Sequence, residues 1–402
     1  MGNLDYNRKK STVVTDLVYI VLLLIMTVGY TEFFHRQAIR YNDKYISDLI
    51  VYAQHIGDVE ESRMIAWVFG RLNGIDGGNY AGLSIFMALL VAATVIAGFF
   101  FISFLLDREN CGVERWKRQL ASFCVLFSGP IYVPGLHEHF YSGTWPKYAW
   151  HSPTEIAMVL FAIISLHLFI RMFDDYMEHI SFANWLGLVL AFFLSCWAKP
   201  NFILVFAPVL LIIMLIELIR RREYGFMHRV VRIVMMGSTI IPAGIFILIL
   251  NRLEFSGDDD GGIAVNIGYF LKDIDHPAVM IICCIAFPLF VLLFNLRKLG
   301  DIALASSLGC FVAGTAEYLI LVEAGSRINH GNFGWSRQVG EYLFFAVAVA
   351  LFIGNWKDKS FLGSKPAIRK IYLVIGFILL AAHVVSQLLY VMLIMTGRLY
   401  RM

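Results

Sequence analysis

Apolar runs long enough to cross about 30 Å of hydrocarbon recur some eleven times along this chain, and the fold must leave each in lipid or in a protein core. They lie near 13–33, 81–106, 119–135, 154–172, 182–198, 202–219, 231–250, 277–296, 302–322, 338–355 and 371–395. The third and fifth are short, and one of them suits a re-entrant segment. Of all residues 59% are hydrophobic and 16% charged, with a mean hydropathy of +0.69. Soluble domains carry about a quarter charged residues, so little chain remains for a soluble domain. The expected fold is all-α: a polytopic membrane protein with about eleven transmembrane helices. It forms one integral membrane domain over 1–402, with a tail at 1–12, a long amphipathic loop at 34–80, and the rest of the bundle over 81–402. The first run continues without a small-residue cleavage site, unlike a cleaved signal peptide.

Loop charge sets the expected orientation. With the N-terminus cytoplasmic, about twenty of the 33 basic residues fall on the inner side, among them Arg108, Arg115, Lys117, Arg118, Arg220 to Arg222, Lys357 and Arg369. The 35–80 segment then faces outward. The six cysteines fall in spans or on the inner side, with no CxxC spacing. No Asn-x-Ser/Thr sequon occurs. Both absences fit a bacterial plasma membrane.

A membrane protein needs few residues to reverse its chain, yet about forty-five follow the first span. In that loop Ile46, Leu49, Ile50, Ala53 and Ile56 recur at helical spacing, while Asp48, Tyr52 and His55 share another face. A second stripe, Ile65, Val68, Phe69 and Leu72, ends at Asn73-Gly74 and Gly77-Gly78. Two short amphipathic helices lying in the membrane interface are expected, their apolar stripes toward lipid. Asp48 suits either a catalytic carboxylate or a cap in a helix's first turn.

Three further outward segments gather polar side chains. The first reads Trp145-Pro146-Lys147-Tyr148-Ala149-Trp150-His151-Ser152-Pro153-Thr154-Glu155. Its Trp and Tyr residues suit interfacial anchors, whereas His151 and Glu155 sit at the mouth of a span, where an ionisable group needs a partner or a function. The second, Trp197-Ala198-Lys199-Pro200-Asn201, places one lysine against the positive-inside trend. Lys199 suits either a phosphate contact at headgroup level or a snorkelling side chain. The third runs from Glu323 to Arg337 through Arg327, His330 and Asn332. An arginine beside Glu, His and Asn suits an anionic, hydroxyl-bearing ligand, and an ordinary polar loop is the alternative. The preceding His137-Glu138-His139 is not a helical metal motif.

No cofactor and no metal site are expected. The loop with Asp258-Asp259-Asp260 and Asp273-Ile274-Asp275-His276 continues into Gly261-Gly262 and reads as a solvated tip, a weak divalent-cation site being the alternative. Walker, Rossmann, HExxH and GxSxG patterns are absent. So is any basic array interleaved with aromatics for nucleic acid, and no internal repeat stands out. Ionisable residues inside spans are sparse, chiefly Glu155, His167, Glu317 and His383. That counts against a proton- or ion-coupled carrier, which needs a more continuous relay.

With these residues collected, the chain resembles the GT-C superfamily of integral membrane glycosyltransferases, which use polyprenyl-phosphate-linked sugars. Ser47-Asp48-Leu49 occupies the place of the family's catalytic acid, soon after the first span, and the Trp150-to-Thr154, Lys199-Pro200 and Glu323-to-Trp335 segments are similar to motifs of bacterial members. The chain departs from the plainest pattern in having one Asp rather than an acidic pair, and no separate domain after the last span. The resemblance implies a cavity at the outer surface where a lipid-phosphate sugar enters from the bilayer, its phosphate held by Lys199, Arg327 or both. It implies inverting transfer to an envelope glycan, glycolipid or protein, with Asp48 as general base. Tyr52, His55, His151, Glu155, Glu323, His330 and Asn332 are the expected substrate-binding residues. A polysaccharide polymerase acting on lipid-linked oligosaccharides is one alternative, though such enzymes place their large outer loop late in the chain. A flippase or small-molecule transporter is the other, and would show discontinuous helices with a midplane site.

Overall fold

A computed structural model describes residues 2–39, 47–49, 64–76, 79–136, 150, 152–255, 262–272, 274, 276–325, 328–329, 331–363, 365–396 and 398. These residues form α1 (Gly2–Ile39), α2 (Met64–Asp76), α3 (Ala81–Arg108), α4 (Arg115–Leu126), α5 (Pro153–Asp175), α6 (Phe182–Ala198) and α7 (Asn201–Arg220). There follow α8 (Phe226–Gly237), α9 (Ile241–Phe255), β1 (Ile263–Val265), α10 (Pro277–Phe294), α11 (Ile302–Ile320), β2 (Leu321–Glu323), α12 (Gly334–Lys357) and α13 (Pro366–Met395). Among the described residues nine helical segments are long and apolar enough to cross a membrane, α8 and α9 counting as one through a short 3₁₀ turn, so the chain is a multi-pass membrane protein. The one sheet among those residues is a two-stranded antiparallel ribbon pairing Ile263 with Glu323 and Val265 with Leu321.

Two expected boundaries move, those of the first and third runs. α1 begins at Gly2 and reaches Ile39, taking in the expected tail and the start of the 34–80 loop. The fifth run makes the 17-residue α6. The third does not make a full span. Its helix, α4, has 12 residues, about 18 Å at 1.5 Å per residue, and the chain from 127 to 136 carries no helix.

That irregular stretch sits against a break in α10. Ile285 has non-helical backbone angles (φ −123°, ψ 16°), and Pro288 lies inside the helix without an N–H to donate. Phe287 N–H and Cys283 C=O, an i→i−4 pair, take tertiary partners instead. Phe287 N donates to His383 Nε2 at 3.3 Å, and Cys283 O accepts from Ile131 N at 2.9 Å. Since Nε2 accepts, Nδ1 carries the proton and donates to Gly129 O at 2.5 Å. His383 thus clips the irregular chain to the kink and satisfies backbone that lipid would leave bare.

The two ends of the bundle differ in chemistry. At one, the ends of α3, α4, α5, α11 and α12 meet through charge. Arg108 pairs with Asp174 (2.9 Å) and with Asp301, whose carboxylate also caps α11. Arg115 pairs with Asp16, Lys298 with Glu109, and Glu114 with both Lys117 (2.8 Å) and Lys357 (3.2 Å). Those two lysines hold the Glu114 carboxyl down to about 2, and hydrogen bonds from Ser360 lower Asp358. The other end is aromatic. Tyr30, Phe33 and Phe34 of α1 pack together, with the Tyr30 and Trp150 ring centroids 5.2 Å apart and those of Trp67 and Trp197 6.1 Å apart.

A glycine seam between antiparallel α11 and α12 carries this aromatic end. A methyl group added at Gly314 would overlap the Ser336 carbonyl, and one at Gly340 the Cys310 carbonyl. Only glycine permits this backbone approach.

Candidate functional site

The α6–α7 turn starts the site. Lys199 precedes Pro200, and the proline ring disfavours helical geometry in the residue before it. The chain therefore leaves the helix at Lys199 (φ −163°, ψ 130°) and resumes as α7 at Asn201. This two-residue reversal buries Lys199, 7% exposed, at the aromatic end. Its Nζ lies 3.4 Å from Ser152 Oγ and 4.1 Å from the centre of the Trp335 ring. Ser152 Oγ in turn lies 3.0 Å from Thr154 Oγ1 at the start of α5. Asn201 Nδ2 donates to Asn332 O (2.9 Å) and Ser336 Oγ (3.0 Å), and Asn332 Nδ2 donates to Glu323 Oε2 (3.0 Å). The structure thus joins Asn332 and Glu323 directly and carries both, through Asn201, to the turn that holds Lys199. Asn201 was missed in the sequence, although its place just after a pre-proline break marks it as able to reach back across the turn.

Beneath them lies a cavity of about 70 Å³ lined by Trp150, Glu155, Gln338, Tyr342 and Gln387 with aliphatic residues of α3, α4 and α5. It has room for a few waters. Glu155, 5% exposed, projects from the first turn of α5 and feels the charges of Lys199 and Glu341. Trp150 sits in the left-handed region (φ 67°), a conformation that bulky side chains rarely adopt. Among the described residues, Trp150 Nε1 and Gln338 Oε1 are buried without a hydrogen-bond partner. Such orphaned atoms are uncommon in folded proteins.

Charge within the bundle is denser than the apolar runs suggest. Arg337 and Glu341, one helical turn apart on α12, are 5% and 2% exposed. Arg337 lies 3.9 Å from Cys284 Sγ and 5.2 Å from the Tyr318 ring centre, and it feels the charge of Glu341. Glu317 is hydrogen-bonded to Ser336. The Arg-x-x-x-Glu spacing marks an i, i+4 pair on one helix face, but it is hidden where polar residues merge into the apolar run. The expectation of sparse intramembrane charge is therefore corrected: Glu155, Lys199, Glu317, Arg337 and Glu341 collect between α5, α7, α11 and α12. Two expected members leave the set. His383 is the clip on α10, and His167 stacks on Phe104 with centroids 4.7 Å apart.

Asp48 is held at the bundle by its neighbours. Ser47 and Leu49 are each 1% exposed, Leu49 N donates to Ser47 Oγ at 3.1 Å, and Leu49 joins the main core. Asp48 between them is half-buried. Tyr52, His55, His151, Arg327 and His330 lie outside the described residues, as do Asp258 to Asp260, Asp273 and Asp275. The second amphipathic helix forms as α2, but Ile65 and Phe69 are fully buried in the core while Trp67 is exposed. Its apolar stripe packs against α3, α5 and α6 instead of lying in lipid. Burying two large side chains in protein gives them dense contacts that fluid acyl chains do not match.

No family model matches the chain, and no curated protein matches it significantly.

Proposed function

We propose that the aromatic end is the active site of a membrane glycosyltransferase of GT-C type, moving a sugar from a polyprenyl-phosphate donor to an envelope acceptor. One observation carries the reading: a lysine buried at a helix break, between the Trp335 ring and Ser152, joined through its own turn to the Asn332–Glu323 pair. A buried ammonium at the ends of spans suits a lipid-linked phosphate, and the amide–carboxylate pair beside it suits sugar hydroxyls.

In this reading Lys199 offsets the charge that develops on the leaving phosphate. Asp48 takes the proton from the acceptor hydroxyl as its oxygen attacks the anomeric carbon, with inversion. Arg327 is a second phosphate contact. Tyr52, His55, His151 and His330 join Asn332 and Glu323 around the sugar, and Glu155 balances Lys199 from below. In this reading the membrane is a bacterial plasma membrane, and the basic bias of the loops supports a cytoplasmic charged end with the site on the outer face. The sugar stands at the membrane surface, since the cavity of about 70 Å³ below is too small for it. The test is transfer of a radiolabelled sugar from a polyprenyl phosphate in reconstituted membranes. Asp48→Asn is expected to lower the rate about 100-fold or more, the usual worth of a general base. A wild-type rate in that variant removes Asp48 from the mechanism.

A second reading, a proton- or ion-coupled transporter, is favoured by a separate observation. The half-length α4 with its irregular continuation, the broken α10, the buried Glu155, Arg337 and Glu341 and the half-buried Glu317 match the discontinuous helices and internal charges of carriers. Substrate counterflow in proteoliposomes, lost in Glu341→Gln, supports that reading against sugar transfer.

A further inference from the structure

The charged end holds several cavities, and one differs from its neighbours. The cavity beside Arg108 and Lys298 also presents Glu109, Asp301 and Asp358, and the one beside Arg220 and Arg221 presents Asp174, Glu217 and Glu223. A third, of about 370 Å³, lies between the start of α4, the end of α12 and the first turn of α13. It is lined by Lys117, Lys357, Lys359 and Arg369 with Trp356 and Ile353 and, among the described residues, by no carboxylate.

Its cations are held from behind. Glu114 pairs with Lys117 and Lys357 at 2.8 and 3.2 Å without lining the cavity, and Asp358 is engaged by Ser360 at 2.7 Å. Lys357 and Lys359 also border the first cavity, whereas Lys117 and Arg369 line this one and not the other two, so the charge facing it is positive in excess. Lys117 Nζ lies 4.2 Å above the Trp356 ring, and Arg369 Nη2 donates to Trp356 O at 2.7 Å. Among the described residues, Arg369 Nε is buried and without a partner. A donor left over beside lysines on a tryptophan wall is the arrangement an oxyanion completes, because a phosphate accepts from several donors at once. The location narrows the source. The cavity opens where α12 ends and α13 begins, and the ends of membrane-crossing helices lie among lipid headgroups, where tryptophan such as Trp356 is enriched.

We propose that this cavity binds a phosphate group at headgroup depth, on the opposite end of the molecule from the candidate active site and independently of its chemistry. An anionic phospholipid reaches it along the membrane plane, with the phosphate on Arg369 and Lys359 and the glycerol against Ile353 and Trp356. Free inorganic phosphate presents the same oxygens from the aqueous side.

The test uses the full chain in detergent micelles. Lipid retention is counted by native mass spectrometry after equimolar phosphatidylglycerol and phosphatidylcholine are added, and a parallel sample receives inorganic phosphate alone in a thermal-shift measurement. Phosphatidylglycerol is expected to be retained in preference to phosphatidylcholine. Lys359→Gln is expected to cut that preference about fivefold and Lys359→Gln/Arg369→Gln about 25-fold, at about fivefold per cation removed near a membrane surface. Lys359 is exposed and in no ion pair among those described, so its variant keeps the fold and separates lost binding from lost stability. Stabilisation by inorganic phosphate that Lys359→Gln abolishes, without lipid preference, assigns the site to a soluble phosphate. Equal retention of the two lipids together with no response to phosphate overturns the proposal, as does a preference unchanged in the double variant.

Discussion

The charged and aromatic ends of this bundle solve opposite problems. At the charged end, Arg108, Glu114, Lys298 and their partners are partly exposed, and their pairs join helix termini that hydrophobic packing has already brought together. Exposed pairs of this kind contribute about 0–1 kcal/mol each. At the aromatic end charges are fewer and buried: Lys199, Glu155 and Arg337 sit at 5–7% exposure among rings, and several polar atoms beside them have no partner in the described structure. Burying such groups costs stability unless they are fully satisfied. Register is an adequate explanation for the first end. The second keeps an arrangement that stability alone disfavours, and this is where function is to be sought.

Substitutions at the two ends should separate these roles. The largest effect is expected at the seam beneath the aromatic end. Gly314→Val or Gly340→Val drives a side chain into the opposing backbone, where overpacking costs more than the about 1–3 kcal/mol usual in a compliant core. Neither variant is expected to elute as a monodisperse species from gentle detergent, and wild-type elution of both breaks the claim that α11 and α12 pack through these glycines. His383→Leu comes next. It orphans Phe287 N–H and Gly129 C=O, at about 1–3 kcal/mol each. The melting temperature should fall clearly, and an unchanged value would mean that water replaces the imidazole.

Effects at the charged end should be smaller and leave activity intact. Asp301→Ala removes a helix cap and an Arg108 partner, an expected loss of about 1–2 kcal/mol read by thermal unfolding, with transfer activity preserved at low temperature. The smallest effect concerns Glu114. Its carboxyl titrates near 2 in the folded chain, below the ordinary 4.5. The stabilisation it supplies is thus complete above pH 4.5 and is lost as pH falls toward 2. Glu114→Gln should melt slightly below the wild type at pH 7, by no more than about 1 kcal/mol for an exposed pair, and the two should converge near pH 2. A constant gap across that range contradicts the pairing with Lys117 and Lys357.

Much of this architecture is legible in the sequence, because helix-length apolar runs admit few folds in lipid. The long helices fall where hydropathy puts them, and basic residues expected on one side do meet at one end. The third run misleads because hydropathy averages over Gly129, Pro130, Pro134 and Gly135. Those residues punctuate the chain after Leu126 and carry the signal for a half-length helix. The stripe of α2 is legible in the sequence but its protein cover is not, since periodicity fixes a face and not what covers it. At the site, Lys199 was legible through its Pro200 neighbour and its defiance of charge bias. Arg337 and Glu341 were not, because burial of a pair within an apolar helix depends on the Gly314–Ser336 approach that no local pattern announces.

The account stands most directly on one lysine measured against another. Sugar transfer from a polyprenyl-phosphate donor should be compared in reconstituted membranes for wild type, Lys199→Met at the aromatic end and Lys357→Met at the charged end. Transfer by the wild type, a loss of about 100-fold or more in Lys199→Met as expected for removing a charge from a developing anion, and near-normal transfer in Lys357→Met is the predicted result. No donor-dependent transfer by the wild type, or equal rates in all three, contradicts it.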